Sequence, residues 1–188
     1  MIELEKTFLA RELPKGLKSC KSKEVVDIYF PKEAKHPTIR VRKNGEKYEM
    51  TKKERLDPND ASMQKEHTIP LSKEEFLTLS KLDGKKLSKI RYYYNYNGRV
   101  AEIDVFQGDL KGLVLIDFEF QTVEEKDKFK MPDFCLADVT QDDFIAGGML
   151  CGKNYKDIEN ELRKFGYKKI KWLNLRQQND KCLNCKKI

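Results

Sequence analysis

The chain has 188 residues and a net charge of +7, with 37% charged and 39% hydrophobic residues, among them 10 Phe and 8 Tyr. That length suits one domain with room for an appendage, and the aromatic content excludes wholesale disorder. No apolar run approaches the ~18 residues that span a bilayer, and no basic segment followed by an apolar one opens the chain as a signal peptide would.

The basic balance points to anionic partners (nucleic acid, a membrane surface or phosphorylated small molecules), or to no more than a soluble basic surface. Five cysteines at irregular spacing read as reduced, cytoplasmic thiols. Cys182 and Cys185 form a lone C-x-x-C, short of the four ligands that a structural zinc site needs.

"MIELEKTFLA" opens the chain as a strand, with Glu3, Glu5 and Thr7 on one face and Ile2, Leu4 and Phe8 on the other. "VVDIYF" (25–30) is a short β-rich run, and "TIRVRK" (38–43) sets Arg40 and Arg42 opposite Ile39 and Val41. Asn44-Gly45 is a hairpin turn into the strand 46–53, which carries Thr51 and Lys53 on one face. The stretch 54–62 reads as a polar loop, and 64–71 as a strand with Glu66 and Thr68 together and Pro70 at an end or an edge.

Ser72 and Glu75 form a capping box opening a helix to about residue 82. Strand 85–96 shows Lys89, Arg91 and Tyr93 on one face, and Asn97-Gly98 turns it into 99–107, which shows Glu102 and Asp104. Strand 113–121 sets Asp117 and Glu119 opposite Ile116, Phe118 and Phe120. Thr122 caps a short helix, Thr140 starts another broken by Gly147-Gly148, and Asn154 opens an amphipathic helix that Gly166 stops. The tail is basic, with Trp172 as its apolar anchor. About eight strands in antiparallel succession and three or four helices predict an α+β fold with one large sheet or a barrel.

The charges are one-sided. Glu3, Glu5, Glu66, Glu102, Asp104, Asp117 and Glu119, and likewise Arg40, Arg42, Lys53, Lys89 and Arg91, each hold one parity of their strands, while the other parity is largely apolar. One such strand reads as an ordinary half-solvated sheet. Three strands with acid pairs and two with basic pairs read differently, because like charges opposite one another destabilise a sheet. A divalent cation, Mg2+ or Mn2+, would neutralise the carboxylates. The Arg and Lys rows suit phosphate oxygens. Curling the sheet with this face inward gives a polar barrel for a short polyphosphate.

These motifs, in this order, resemble the CYTH family, the triphosphate tunnel metalloenzymes related to class IV adenylyl cyclases and thiamine triphosphatase. "IELEKTFLA" is similar to the family's E-x-E-x-K strand, "TIRVRKNGEKYEMTKK" to its arginine hairpin, and "AEIDVFQGDLKGLVLIDFEF" to its E-x-D-x-F, Gly-x-Leu and E-x-E sequence. The resemblance covers about residues 2–150 and implies an eight-stranded antiparallel β-barrel, a tunnel with a charged interior and helices packed outside.

It further implies Glu3, Glu5, Asp117 and Glu119 as Mg2+ or Mn2+ ligands, Arg40, Arg42, Lys53, Lys89 and Arg91 as phosphate ligands, and Lys89, Glu102 and Asp104 in catalysis. The tunnel domain is expected over 1–166, with a basic extension over 167–188. Lys89 would serve as a base only with a lowered pKa, and the nearby carboxylates are expected to raise it.

Three positions depart from the family pattern. Thr7 stands where the lysine of E-x-E-x-K falls, Thr68 replaces the second acid of its strand's pair, and "FIAGGMLCGK" replaces a basic, Asn-containing stretch. The expected activity is metal-dependent hydrolysis of an inorganic or organic triphosphate. The alternatives are an adenylyl cyclase of the same fold and a polyphosphate- or nucleotide-binding module without turnover. The expected partner is a small triphosphate-containing molecule, with no membrane and no nucleic acid apart from RNA 5′-triphosphate ends.

Overall fold

The structure is a computed structural model that describes residues 2–171; Trp172, Cys182 and Cys185 lie outside the described residues. The strands are β1 Ile2–Ala10, β2 Ser22–Phe30, β3 Ile39–Asn44, β4 Lys47–Asp57, β5 Asp60–Leu71, β6 Lys85–Tyr96, β7 Arg99–Phe106, β8 Val114–Phe120 and β9 Cys135–Asp138. The helices are α1 Lys73–Leu79, α2 Val123–Lys128, α3 Gly147–Leu150 and α4 Tyr155–Lys164.

Strand order is β5-β4-β3-β2-β6-β7-β8-β1, and β1 pairs back onto β5, so eight antiparallel strands close into the predicted barrel. Closure rests on a short ladder, Ile2 to Lys65 through Leu4 to Met63; farther along the same edge of β1 the ninth strand, β9, takes over. Both Asn-Gly turns form as read, with Gly45, Asn97 and Gly98 all at positive φ. The Ser72–Glu75 capping box closes reciprocally, and α4 begins with the same device, Asn154 accepting from the chain ahead while Asp157 accepts from the Asn154 N–H.

Two local readings are corrected. Residues 54–62 are not a loop: β4 runs to Asp57 and β5 starts at Asp60, in one long hairpin around Pro58-Asn59. Thr140 caps no helix. Its Oγ1 accepts from the Thr7 N–H at 3.0 Å and so ties the segment after β9 to β1, while Gly147 and Gly148 begin α3 rather than break it.

The apolar parities of β1, β6, β7 and β8 face outward into a core of Leu4, Phe8, Ile103, Ile116 and Phe118, covered by Phe129 and Phe134. α1 lays Phe76 on Ile28 and Val41. The remaining core corrects the picture of helices packed only outside. Toward one end of the barrel the inward parity itself turns apolar, at Leu9, Tyr29, Leu87, Phe106 and Leu115. These side chains meet Ile145, Leu150, Tyr155, Ile158 and Leu162, so the tail-side helices plug that end. Tyr167, counted with the extension in the sequence reading, belongs to this core: its hydroxyl accepts from the Val114 N–H at 2.8 Å and donates to the Gly112 carbonyl at 2.9 Å.

Candidate active site

The charged parity lines the barrel, as its alternation requires. A cavity of about 720 Å³ is bounded by Glu5, Arg40, Arg42, Lys53, Lys89, Arg91, Asp104 and Asp117 among the predicted residues. Two predicted residues lie elsewhere: Glu102 and Glu119 line a smaller cavity of about 460 Å³ beside the Asn97-Gly98 turn, with Arg99 and Glu125. Glu3 lines neither cavity and is held by Lys53, which also reaches Glu66 at 3.2 Å. Thr68 takes no charged role; its hydroxyl donates to Glu66 Oε1 at 2.6 Å and lies 3.0 Å from the Thr51 hydroxyl.

The acid strands are neighbours in the barrel. Register places Glu5 opposite Glu119 and Glu102 opposite Asp117, like charge against like charge. The consequence is visible in the acidities. Desolvation first, then Glu5 and Asp104, push the Asp117 carboxyl well above the usual carboxylate range. Desolvation raises Glu119, with Glu102 and Glu5 adding to it, and lifts Glu3 to about 6 against the opposing pull of Lys53.

Thr7 sits in the middle of this crowd. Its Oγ1 is 3.0 Å from Glu5 Oε1 and 2.8 Å from Asp117 Oδ1. One hydroxyl proton satisfies one of these contacts; a protonated Asp117 satisfies the other by donating to Oγ1.

The bases meet different neighbours. Arg91 grips Asp104 with two prongs, at 2.7 and 2.6 Å, and also pairs with Glu102; Lys89 joins the same Asp104 carboxylate. Desolvation raises the Asp104 pKa, but Arg91 and Lys89 outweigh it and the carboxyl falls to about 2. Lys89 goes the other way from its sequence expectation: burial lowers its pKa, Arg91 and Arg42 reinforce the shift, and Asp104 opposes it. The reason is burial of the ammonium beside two guanidiniums, which counting carboxylates in a sequence does not reveal.

Asp27, Tyr29 and Arg55 are among the lining residues that escaped the sequence reading. Asp27 is fully buried and holds Arg42 at 2.6 and 2.8 Å. The Tyr29 hydroxyl accepts from Arg40 at 3.4 Å. Arg55 lines the cavity from β4, the strand taken for a loop there. Their inward parity was the available signal, but Asp27 and Tyr29 lack a charged i, i+2 partner of the kind that marked the others, and Arg55, which has one in Lys53, fell in the stretch read as a loop.

A cation fits this site in donor chemistry: Glu3, Glu5, Asp117 and Glu119 are oxygen donors on two adjacent strands, and burial together with neighbouring carboxylates raises the pKa values of Glu3, Asp117 and Glu119. As placed, no three acidic, His or Cys side chains among the described residues are arranged to hold one ion.

No family model matches the chain. An inorganic triphosphatase of Nitrosomonas europaea is 27% identical over 144 residues, covering 76% of this chain and 91% of that protein. An inorganic triphosphatase of Acetivibrio thermocellus is 26% identical over 132 residues, covering 70% and 81%. The crystal structure of the inorganic triphosphatase NE1496 superposes with a TM-score of 0.58 at 25% identity, covering 79% of this chain and 93% of that one.

Proposed function

We propose that this chain, a member of the CYTH family, hydrolyses a triphosphate inside its barrel, with inorganic triphosphate as the preferred substrate. The observation that carries the reading is the single cavity in which three cationic strands, β3, β4 and β6, face the acid-bearing strands β1, β7 and β8. The two relatives named inorganic triphosphatase support the choice of substrate.

Arg40, Arg42, Lys53 and Arg91 are suited to hold phosphate oxygens, and the protein contributes mainly positioning and charge, as phosphoryl transfer requires. Water attacks the terminal phosphorus, the bond to the bridging oxygen breaks, and pyrophosphate leaves with its electron pair. Lys89 is suited to take the proton of the water, because burial favours its neutral form. Asp104, ionised under Arg91 and Lys89, fixes both side chains, and Glu102 holds the other face of Arg91. Glu3, Glu5, Asp117 and Glu119 would hold Mg2+ or Mn2+, which supplies positive charge to the phosphates and acidifies bound water.

The test is to incubate the purified chain with tripolyphosphate, ATP and thiamine triphosphate, each with Mg2+ or Mn2+, and to measure orthophosphate and cyclic AMP. Orthophosphate released fastest from tripolyphosphate and abolished by EDTA is the expected result. Cyclic AMP from ATP would assign a cyclase, and tight binding without release a binding module.

A further inference from the structure

We infer that Arg55 is an additional ligand for the phosphate chain, masked by Asp143 until substrate displaces that carboxylate. The inference rests on the triphosphatase reading above and names a residue outside its predicted set. Thr51, Lys53 and Arg55 share the inward parity of β4, and all but Thr51 line the main cavity. Two residues of a strand advance about 6.6 Å, so Arg55 continues the row of cations one step beyond Lys53.

Its guanidinium is occupied by the Asp143 carboxylate and, through NH1, by the Pro58 carbonyl at 3.3 Å. The ion pair is open to water, with side-chain exposures of 30% for Arg55 and 60% for Asp143. Exposed pairs of this kind contribute little and exchange readily. A triphosphate carries several negative charges and offers the two-pronged oxygen geometry that a guanidinium fits best.

The opposite wall gives Arg55 a role. Residues 142–148 bring two carboxylates, two apolar side chains and two glycines to the cavity, and no cation. They also have no room for one near α3: a Cβ on Gly147 would lie 2.1 Å from the Tyr29 hydroxyl, and one on Gly148 would lie 2.3 Å from the Pro37 carbonyl. Segment 142–148 itself supplies no positive charge to the cavity, and Arg55 reaches it from β4 through Asp143. Asp143 holds that charge in the meantime, so the same carboxylate both orders Arg55 and competes with substrate for it.

Steady-state release of orthophosphate from tripolyphosphate tests this, reading KM, or the calorimetric Kd if the chain binds without turnover. Asp143→Asn is expected to lower KM about threefold, and Arg55→Gln to raise it about tenfold, the scale of one charge-assisted hydrogen bond gained or lost. The double variant decides between mechanisms. With Arg55 gone, the gain from Asp143→Asn should vanish, whereas a long-range charge effect of Asp143 would persist. Persistence of that gain, or single variants indistinguishable from the unaltered chain, overturns the assignment while leaving the triphosphatase reading intact. An unaltered chain that neither binds nor cleaves tripolyphosphate overturns both. Arg55→Lys, which keeps the charge and loses the fork, should give an intermediate KM and serves as the readout if Arg55→Gln unfolds.

Discussion

Asp27 and Arg42 face each other across β2 and β3 and share a two-pronged ion pair with both side chains out of water. Arg42 is therefore part of the wall before it is a ligand: its charge is already answered by the Asp27 carboxylate. Breaking a buried pair leaves an uncompensated charge, which costs about 3–5 kcal/mol. Asp27→Ala is expected to lower unfolding free energy by that amount in a urea titration, and Arg42→Ala to do the same. A loss below about 1 kcal/mol for either, no more than an exposed pair contributes, would show that the pair is open to water.

Arg40 is the cleaner probe of phosphate binding. It is half-buried, its Nε has no hydrogen-bond partner among the described residues, and its guanidinium donates a long bond of 3.4 Å to the Tyr29 hydroxyl. Arg40→Ala should raise the KM for tripolyphosphate at least tenfold, since hydrogen bonds to charged groups contribute about 1.5–3 kcal/mol. The thermal midpoint should move by only a few degrees. Unchanged KM would remove Arg40 from the substrate contacts.

The acidities predict a stability profile. Asp27 and Asp104 have depressed folded-state pKa values, so their contribution is present above the ordinary Asp range and is lost as pH falls toward their folded values. Glu3, Asp117 and Glu119 have raised values, so the stability linked to their protons is full below the ordinary range. It is lost as pH rises, for Glu3 between 4.5 and about 6. In EDTA the thermal midpoint should peak near pH ~5 and decline toward neutrality. Added Mg2+ or Mn2+ should flatten that decline by binding the ionised carboxylates. A midpoint that rises steadily from pH 5 to 8 in EDTA would contradict the crowding of Glu5, Asp117 and Glu119.

What could be read in advance followed from one geometric fact, the alternation of side chains along a strand. Charged pairs at i, i+2 are visible without any tertiary knowledge, so Glu3 and Glu5, Arg40 and Arg42, Lys89 and Arg91, and Asp117 and Glu119 all emerged on one parity. Asp27 did not, because a single acid among Val, Ile, Tyr and Phe has no partner to mark its face. Arg55 was lost with the hairpin 54–62, where Pro58, Asn59 and dense charge resemble a loop although β4 and β5 are paired to their tips. The plug at one end depends on α4 docking against Leu87, Phe106 and Leu115, a contact between segments far apart in sequence. The lowered pKa of Lys89 depends on burial, which charge counting misses.

Gly147 tests the close approach of α3 to the barrel wall. Its φ lies in the ordinary range, so the only penalty for a side chain is steric. Gly147→Ala should destabilise the fold by about 1–3 kcal/mol, as overpacking does. Tyr29→Phe should recover part of that loss, because the 2.1 Å contact with the hydroxyl disappears and the nearest remaining ring atom is at 3.0 Å. Strict additivity of the two substitutions in urea titrations would mean that they do not touch.

Thr7 bears on the activity itself. Its hydroxyl bridges Glu5 and Asp117 at the position where the resembled family carries a lysine, and the bridge is complete only when one of the two carboxyls holds a proton, which the raised Asp117 pKa favours. Thr7→Val removes the bridge and leaves two facing carboxylates, which should cost about 1–3 kcal/mol of stability. Thr7→Lys places an ammonium between the same carboxylates. An opposite charge within a few ångströms favours the ionised form, so the Asp117 pKa should fall and the decline in midpoint above pH ~5 should shrink in EDTA. Turnover of tripolyphosphate at neutral pH should rise, since Asp117 is then ionised and a cation returns to the floor of the cavity. A Thr7→Lys variant with the flattened pH profile but unchanged turnover would mean that the missing ammonium does not limit the reaction. A variant with neither change would mean that the new side chain does not enter the barrel.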